Sequence, residues 1–229
     1  MHYFYDTTYI LVVIGALLGA IASWNVKHTY NKYSRTGNGM GVTAEQVADR
    51  ILRNAGIMDV RIERVGGNLT DHYSPKEKVL RLSDTVYGST SVAAIGVAAH
   101  ECGHAIQHNR GYVPIKIRAA VIPVANIGSS LSWPLMLLGL FMGWTGLMQL
   151  GIILFSAVVI FQIATLPVEF NASRRALRIL EDSHILVGKE LKYSKKVLRA
   201  AAMTYVAALL TAILQLLRLI LLANRRERR

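Results

Sequence analysis

Cysteine is almost missing from this 229-residue chain. The single Cys102 rules out an intramolecular disulfide and suits a reducing compartment. Acidic residues are scarce too, 14 Asp and Glu against 26 Lys and Arg, which leaves a net charge of +12. Three long stretches lack charge altogether: residues 7–26, 119–168 and 200–217 hold no Asp, Glu, Lys, Arg or His. A spanning helix needs ~20 mostly apolar residues. The first stretch therefore fits one span and the second a hairpin of two. The third, continued past Arg218 to Ala223, fits one more span or a helix lying in the interface. Basic residues are not interleaved with aromatics as in single-strand binders, so a nucleic-acid partner is not expected. No basic segment precedes the first span, so it reads as an anchor and not as a cleaved signal. Internal repeats and low-complexity segments are absent.

What charge there is sits beside the apolar stretches. Lys27, Lys32 and Arg35 follow the first, Lys116 and Arg118 precede the hairpin, and Arg174, Arg175 and Arg178 follow it. The turn inside the hairpin, Gly143-Trp144-Thr145-Gly146, has no basic residue. The positive-inside rule then places the N-terminus outside and residues 27–118 and 169–199 in the cytoplasm. The expected organisation is a span at 7–26, a cytoplasmic α+β part at 27–118, a transmembrane hairpin at 119–168, a cytoplasmic helical part at 169–199, a transmembrane or interfacial helix at 200–223, and a basic tail at 224–229. That tail obeys the rule only if the last helix does not cross. The lipid bilayer is the expected partner.

Between the spans, residues 31–41 read as a loop. Gly37-Asn38-Gly39-Met40-Gly41 has neither the preceding strand nor the following Lys-Ser/Thr of a phosphate cradle. Thr43 and Gln46 make a capping box that opens a helix ended by Gly56. Val60 to Val65 alternates at period two, Leu69 to Tyr73 can form a second strand and Lys78 to Ser83 a third. These are expected to form a small meander. If a peptide binds here in extended form, Lys78–Ser83 is the candidate edge strand.

The chemistry is concentrated in His100-Glu101-Cys102-Gly103-His104, within a predicted helix at about 90–109. Ser89-Thr90-Ser91 offers an N-cap, and Val92 to Ala99 is all small or apolar. Residues four apart share a helix face, so both imidazoles can reach one metal ion. Glu101 then lies beside the metal, placed to take a proton from a bound water. His and Glu on such a buried helix are costly without partners. Cys102 is read as a small buried filler.

A catalytic zinc takes three protein ligands and a water. His108 is a poor third, because on one straight helix the outer two of three such histidines lie ~12 Å apart. Glu169 is the better candidate. It is the first ionisable residue after the uncharged hairpin, and two spans that leave and return to one face bring it back near His104. The competing reading pairs it with Arg174 or Arg175. His/His/Glu ligation favours zinc.

The motif His-Glu-Cys-Gly-His, the hairpin, and Leu166-Pro167-Val168-Glu169-Phe170-Asn171-Ala172-Ser173-Arg174-Arg175-Ala176 together resemble the YugP-type membrane zinc metallopeptidases. The resemblance covers nearly the whole chain, including Gly67 to Tyr73. More distantly the chain is similar to the HtpX and CAAX prenyl proteases. The resemblance implies a mainly α membrane protein: about four hydrophobic helices and a small α+β gluzincin-like peptidase domain carrying the HExxH helix. It implies one Zn2+ per chain held by His100, His104 and Glu169, with Glu101 as catalytic base. The implied activity is cleavage of a protein or peptide substrate near the cytoplasmic face of a bacterial plasma membrane, with membrane-protein quality control as a role. Two positions depart from the pattern. Ser173 stands where the distant relatives carry an Asp beside a histidine ligand, and Asn171 stands where an acid is expected. A non-catalytic, metal-stabilised membrane adaptor is the alternative, and the intact Glu101 argues against it. A transporter would need ionisable residues in the hairpin, which has none. His72, Tyr73, His184 and Tyr205 are the available oxyanion donors.

Overall fold

The structure, a computed structural model, describes residues 7–227; residues 1–6 and the end of the basic tail, 228–229, lie outside the described residues. Its elements in chain order are α1 (Tyr9–Tyr33), α2 (Ala44–Asn54), β1 (Arg61–Val65), β2 (His72–Ser74), β3 (Val79–Ser83), α3 (Val92–Asn109), α4 (Val113–Met142), α5 (Thr145–Asp182) and α6 (Gly188–Glu227). They fall into two compact units. One comprises Met1–Ser23, Lys116–Leu166 and Thr204–Arg229, the other Trp24–Ile115 and Pro167–Met203.

The first unit is built from the uncharged stretches. Four helices, α1, α4, α5 and α6, are long and apolar enough to cross a membrane. Many of their large apolar side chains face outward, among them Ile10, Phe141, Ile153 and Ile160. Small residues set how closely α4 and α5 approach: a Cβ on Gly151 would sit 2.8 Å from the Ser132 carbonyl oxygen. Gly143, at φ +70°, turns the chain between the two helices, where the sequence places the hairpin bend. The hydroxyls of Ser129 and Ser130 both donate to the Asn126 carbonyl oxygen of their own helix, each at 2.9 Å. Arg218 lies over the rings of Tyr9 and Trp133, at 4.7 and 5.0 Å from their centroids.

The second unit holds the chemistry. Its core joins Val47, Ile51 and Leu52 of α2, Leu80 and Leu82 of β3, Ile95 and Ala99 of α3, and Leu180 of α5. The Gln46 side chain accepts from the Thr43 backbone N–H at 3.1 Å, so α2 begins where the capping box places it. The glycine-rich loop is organised by Asn38. Its side chain accepts from Met40 and Val42 N–H and donates to the Val42 and Thr90 carbonyl oxygens. This ties the loop to the start of α3, where the Ser91 hydroxyl caps the helix by accepting from Ala94 N–H at 3.1 Å.

Two expectations about this part are corrected. The strands are no meander: their order is β1-β3-β2, with β1 parallel and β2 antiparallel to β3. The most apolar strand takes the centre, as a strand buried on both faces must: Val79, Leu80, Leu82 and Ser83 of β3 are all fully buried. Lys78–Ser83 is therefore not an edge, and the edges are β1 and β2.

Helix α3 is fixed by close approach on its glycine face. A Cβ on Gly103 would meet the Ala172 carbonyl oxygen at 2.8 Å and the Ala172 Cα at 3.1 Å. This lets the α3 and α5 backbones touch, and so sets the distance between residues 100–104 and residue 169.

Candidate metal centre

Helix α3 carries His100 and His104 one turn apart, with their rings edge to face and 4.7 Å between centroids. Pro167–Asp182 of α5 brings Glu169 against them, only 2% exposed. Three donor atoms converge. His100 Nε2 lies 3.2 Å from His104 Nε2 and 3.3 Å from Glu169 Oε2, and His104 Nε2 lies 3.5 Å from Glu169 Oε2. Bonds of 2.0–2.1 Å in a tetrahedral zinc site would space neighbouring donors by ~3.3–3.4 Å. The three atoms thus form one face of such a tetrahedron, and the residues fit a zinc ion. Both histidines are partly exposed. Glu169 does not take up the alternative pairing with Arg174 or Arg175. Arg175 Nε donates instead to Asn171 Oδ1 at 2.7 Å. His108 lies apart from the cluster, its ring tilted against Tyr73 with centroids 5.7 Å apart.

The other imidazole nitrogens are held as well. Arg175 can only donate, so it fixes Asn171 Oδ1 as the acceptor. Gln107 Nε2 donates to the same oxygen at 3.1 Å and to the Val168 carbonyl oxygen at 2.8 Å. With its amide nitrogen so engaged, Gln107 turns Oε1 toward His104 Nδ1, at 3.0 Å. An amide oxygen only accepts, so the His104 proton sits on Nδ1 and Nε2 presents its lone pair to the cluster. Ser173 Oγ lies 3.0 Å from His100 Nδ1 and can accept from it in the same way. Ser173 thus stands in the second layer at the place expected of an Asp, as a neutral partner. Gln107 was not legible as a site residue. Its only signal is a polar side chain three residues after His104 on an apolar helix, and in the structure it is fully buried.

Electrostatics follow from this packing. Burial works against ionisation of Glu169, but the contacts to His100 and His104 outweigh it and hold the carboxyl well below its ordinary value. Burial likewise opposes the charged form of His104, and the contact with Glu169 and the charge of Glu101 overcome it, so its pKa is raised. Glu101 is buried beside the cluster. Asp71, on the approach to β2, accepts from the Ser83 backbone N–H and hydroxyl at 2.7 and 2.9 Å. Burial foremost, with the Glu101 charge adding, raises its pKa despite those bonds. Cys102 is fully buried, its S–H directed at the Ala48 carbonyl oxygen at 3.6 Å. Burial pushes that thiol well up, which fits an inert filler. Of the four oxyanion candidates, Tyr73 and His72 lie on β2 beside α3, while Tyr205 belongs to the other unit.

Comparison with known proteins places the chain. The family described as "Putative neutral zinc metallopeptidase" matches residues 8–224. This chain belongs to that family. It is 45% identical over 215 residues to the "Putative membrane protease YugP" of Bacillus subtilis (strain 168), covering 93% of this chain and 96% of the relative. No solved structure matches.

Two predictions follow from the site. Replacing Gln107 with Ala frees His104 Nδ1 and should weaken zinc binding by ~10- to 100-fold, measured by competition with a chromogenic chelator. Unchanged affinity would remove Gln107 from the site. The second concerns pH. In the metal-free protein the lowered Glu169 pKa stabilises above its ordinary value of 4.5, and that gain is lost as pH falls. The raised His104 pKa stabilises below its ordinary value of 6.5, and that gain is lost as pH rises through the raised value. The pair therefore stabilises the metal-free protein most between those two values. Zinc must displace the His104 proton, so its stabilisation grows with pH over the range where His104 titrates. The check is thermal unfolding with and without zinc over a pH series that starts below 6.5 and runs up through the His104 titration. A zinc-induced shift in Tm that stays flat across it contradicts the assignment.

Proposed function

We propose that this chain is a membrane-embedded, zinc-dependent metalloendopeptidase with a gluzincin-like site, holding one zinc ion through His100, His104 and Glu169. The observation that carries this reading is the spacing of the three donor atoms, 3.2 to 3.5 Å apart. The donor chemistry supports it, as does membership of a family described as zinc peptidases.

Zinc bound there supplies Lewis acidity, lowering the pKa of a coordinated water and polarising a carbonyl. Glu101 takes the proton from the attacking water and returns it to the leaving amine nitrogen. Its carboxylate suits this role because it is buried yet forms no ion pair among the described residues. Gln107 and Ser173 hold the two imidazoles with Nε2 toward the ion. The extended substrate pairs with β2, an edge of the sheet, which runs beside the metal helix through the contact of Tyr73 with His108. The unit that carries the site follows the first span and the hairpin, and its basic residues support a cytoplasmic side by the positive-inside rule. Substrates are then membrane-protein segments and juxtamembrane loops, as quality control of a plasma membrane would require.

Glu101→Gln is expected to keep its zinc and to lose ~10²- to 10⁴-fold in cleavage of a membrane-anchored reporter carrying a cytoplasmic loop. Turnover at the wild-type rate in a zinc-loaded Glu101→Gln protein would sink the mechanism.

A further inference from the structure

The second unit contains a groove of about 640 Å³ between α5 and α6, and of its lining residues the proposed chemistry uses only Ser173. One face of each helix lines it. On α5 these are residues 170, 173, 174, 177, 178 and 181; on α6 they are 191, 195, 198, 199 and 202. Each set recurs at intervals of three or four, so each is one helix face. Arg174, Arg178, Lys195 and Arg199 supply four positive charges, all exposed, against one carboxylate, Glu181. None of the four forms an ion pair with a described residue.

The charges are combined with apolar surface in a definite direction. Phe170, 41% exposed, lies at one end of the groove beside Ala202, and Leu198 lies further along. Phe170 comes two residues after the uncharged stretch of α5 ends, and Ala202 two residues after that of α6 begins. Glu181 and Leu191 mark the other end, ~16 Å along the helix from Phe170. One end therefore adjoins the apolar spans by chain continuity, and the basic middle begins within the next turn.

We propose that this groove docks the headgroup of an anionic phospholipid, with the phosphate among Arg174, Arg178, Lys195 and Arg199 and the acyl chains leaving past Phe170. Basic pockets between helices at a membrane face recognise anionic headgroups in this way. The inference uses the membrane placement of the helices and not the hydrolytic chemistry, so it stands or falls separately from Glu101.

The test is native mass spectrometry of the full chain released from detergent with added phosphatidylglycerol or phosphatidylcholine. Wild type should retain phosphatidylglycerol preferentially. The double substitution Arg178→Gln with Lys195→Gln should weaken retention by roughly 10- to 30-fold, at about a kcal/mol of attraction per basic residue, with zinc content unchanged. Lys189→Gln with Lys192→Gln removes the same charge outside the groove and should leave retention as in wild type. Equal retention of the two lipids, or equal loss in both variants, would overturn the proposal. So would displacement by inorganic phosphate, which would mean a free-anion site, or by a soluble polyglutamate peptide, which would mean a peptide site. Photocrosslinking of wild type with a headgroup-labelled phosphatidylglycerol needs no variant. Crosslinks within residues 170–202 support the groove, and crosslinks confined elsewhere overturn it.

Discussion

The structure turns on the meeting of two imidazole nitrogens and one carboxylate oxygen at 3.2 to 3.5 Å. Glu169 is almost completely buried. A carboxylate so withdrawn from water is costly unless a cation or strong donors face it. His100 and His104 face it in the structure, and a divalent ion between the three would meet that need. The contact of Gly103 with the backbone at Ala172 makes the meeting possible, because any side chain at 103 would push α5 and Glu169 away.

Around this centre the hydrogen bonds run in one direction. Arg175 fixes Asn171, Asn171 fixes Gln107, and Gln107 fixes the proton of His104. A guanidinium that can only donate thus determines, three residues away, which nitrogen of an imidazole is free. Ser173 places a hydroxyl 3.0 Å from His100 Nδ1, where it can accept the proton of that nitrogen. A hydroxyl carries no charge, so it leaves the imidazole less basic than a carboxylate in that place would.

Much of this was legible in the sequence because it depends on local spacing. The placement of His100 and His104 on one face follows from helical period, and the hairpin from two uncharged runs divided at Gly143. Glu169 could be chosen because the hairpin geometry returns the chain to its starting face. The sheet order could not be read. Alternation marks strands but not their neighbours, and β3 is central because Val79, Leu80 and Leu82 are covered on both sides, which only the folded unit reveals. Gln107 escaped for a similar reason. It looks like an ordinary amide until the two helices meet.

The claim on which the account rests is that His100, His104 and Glu169 hold one zinc ion. The most direct test is elemental mass spectrometry of detergent-purified protein, wild type and Glu169→Ala in parallel. The account predicts one zinc per chain in wild type and its loss in the variant. Zinc retained in full by Glu169→Ala, or no metal in either protein, would contradict it.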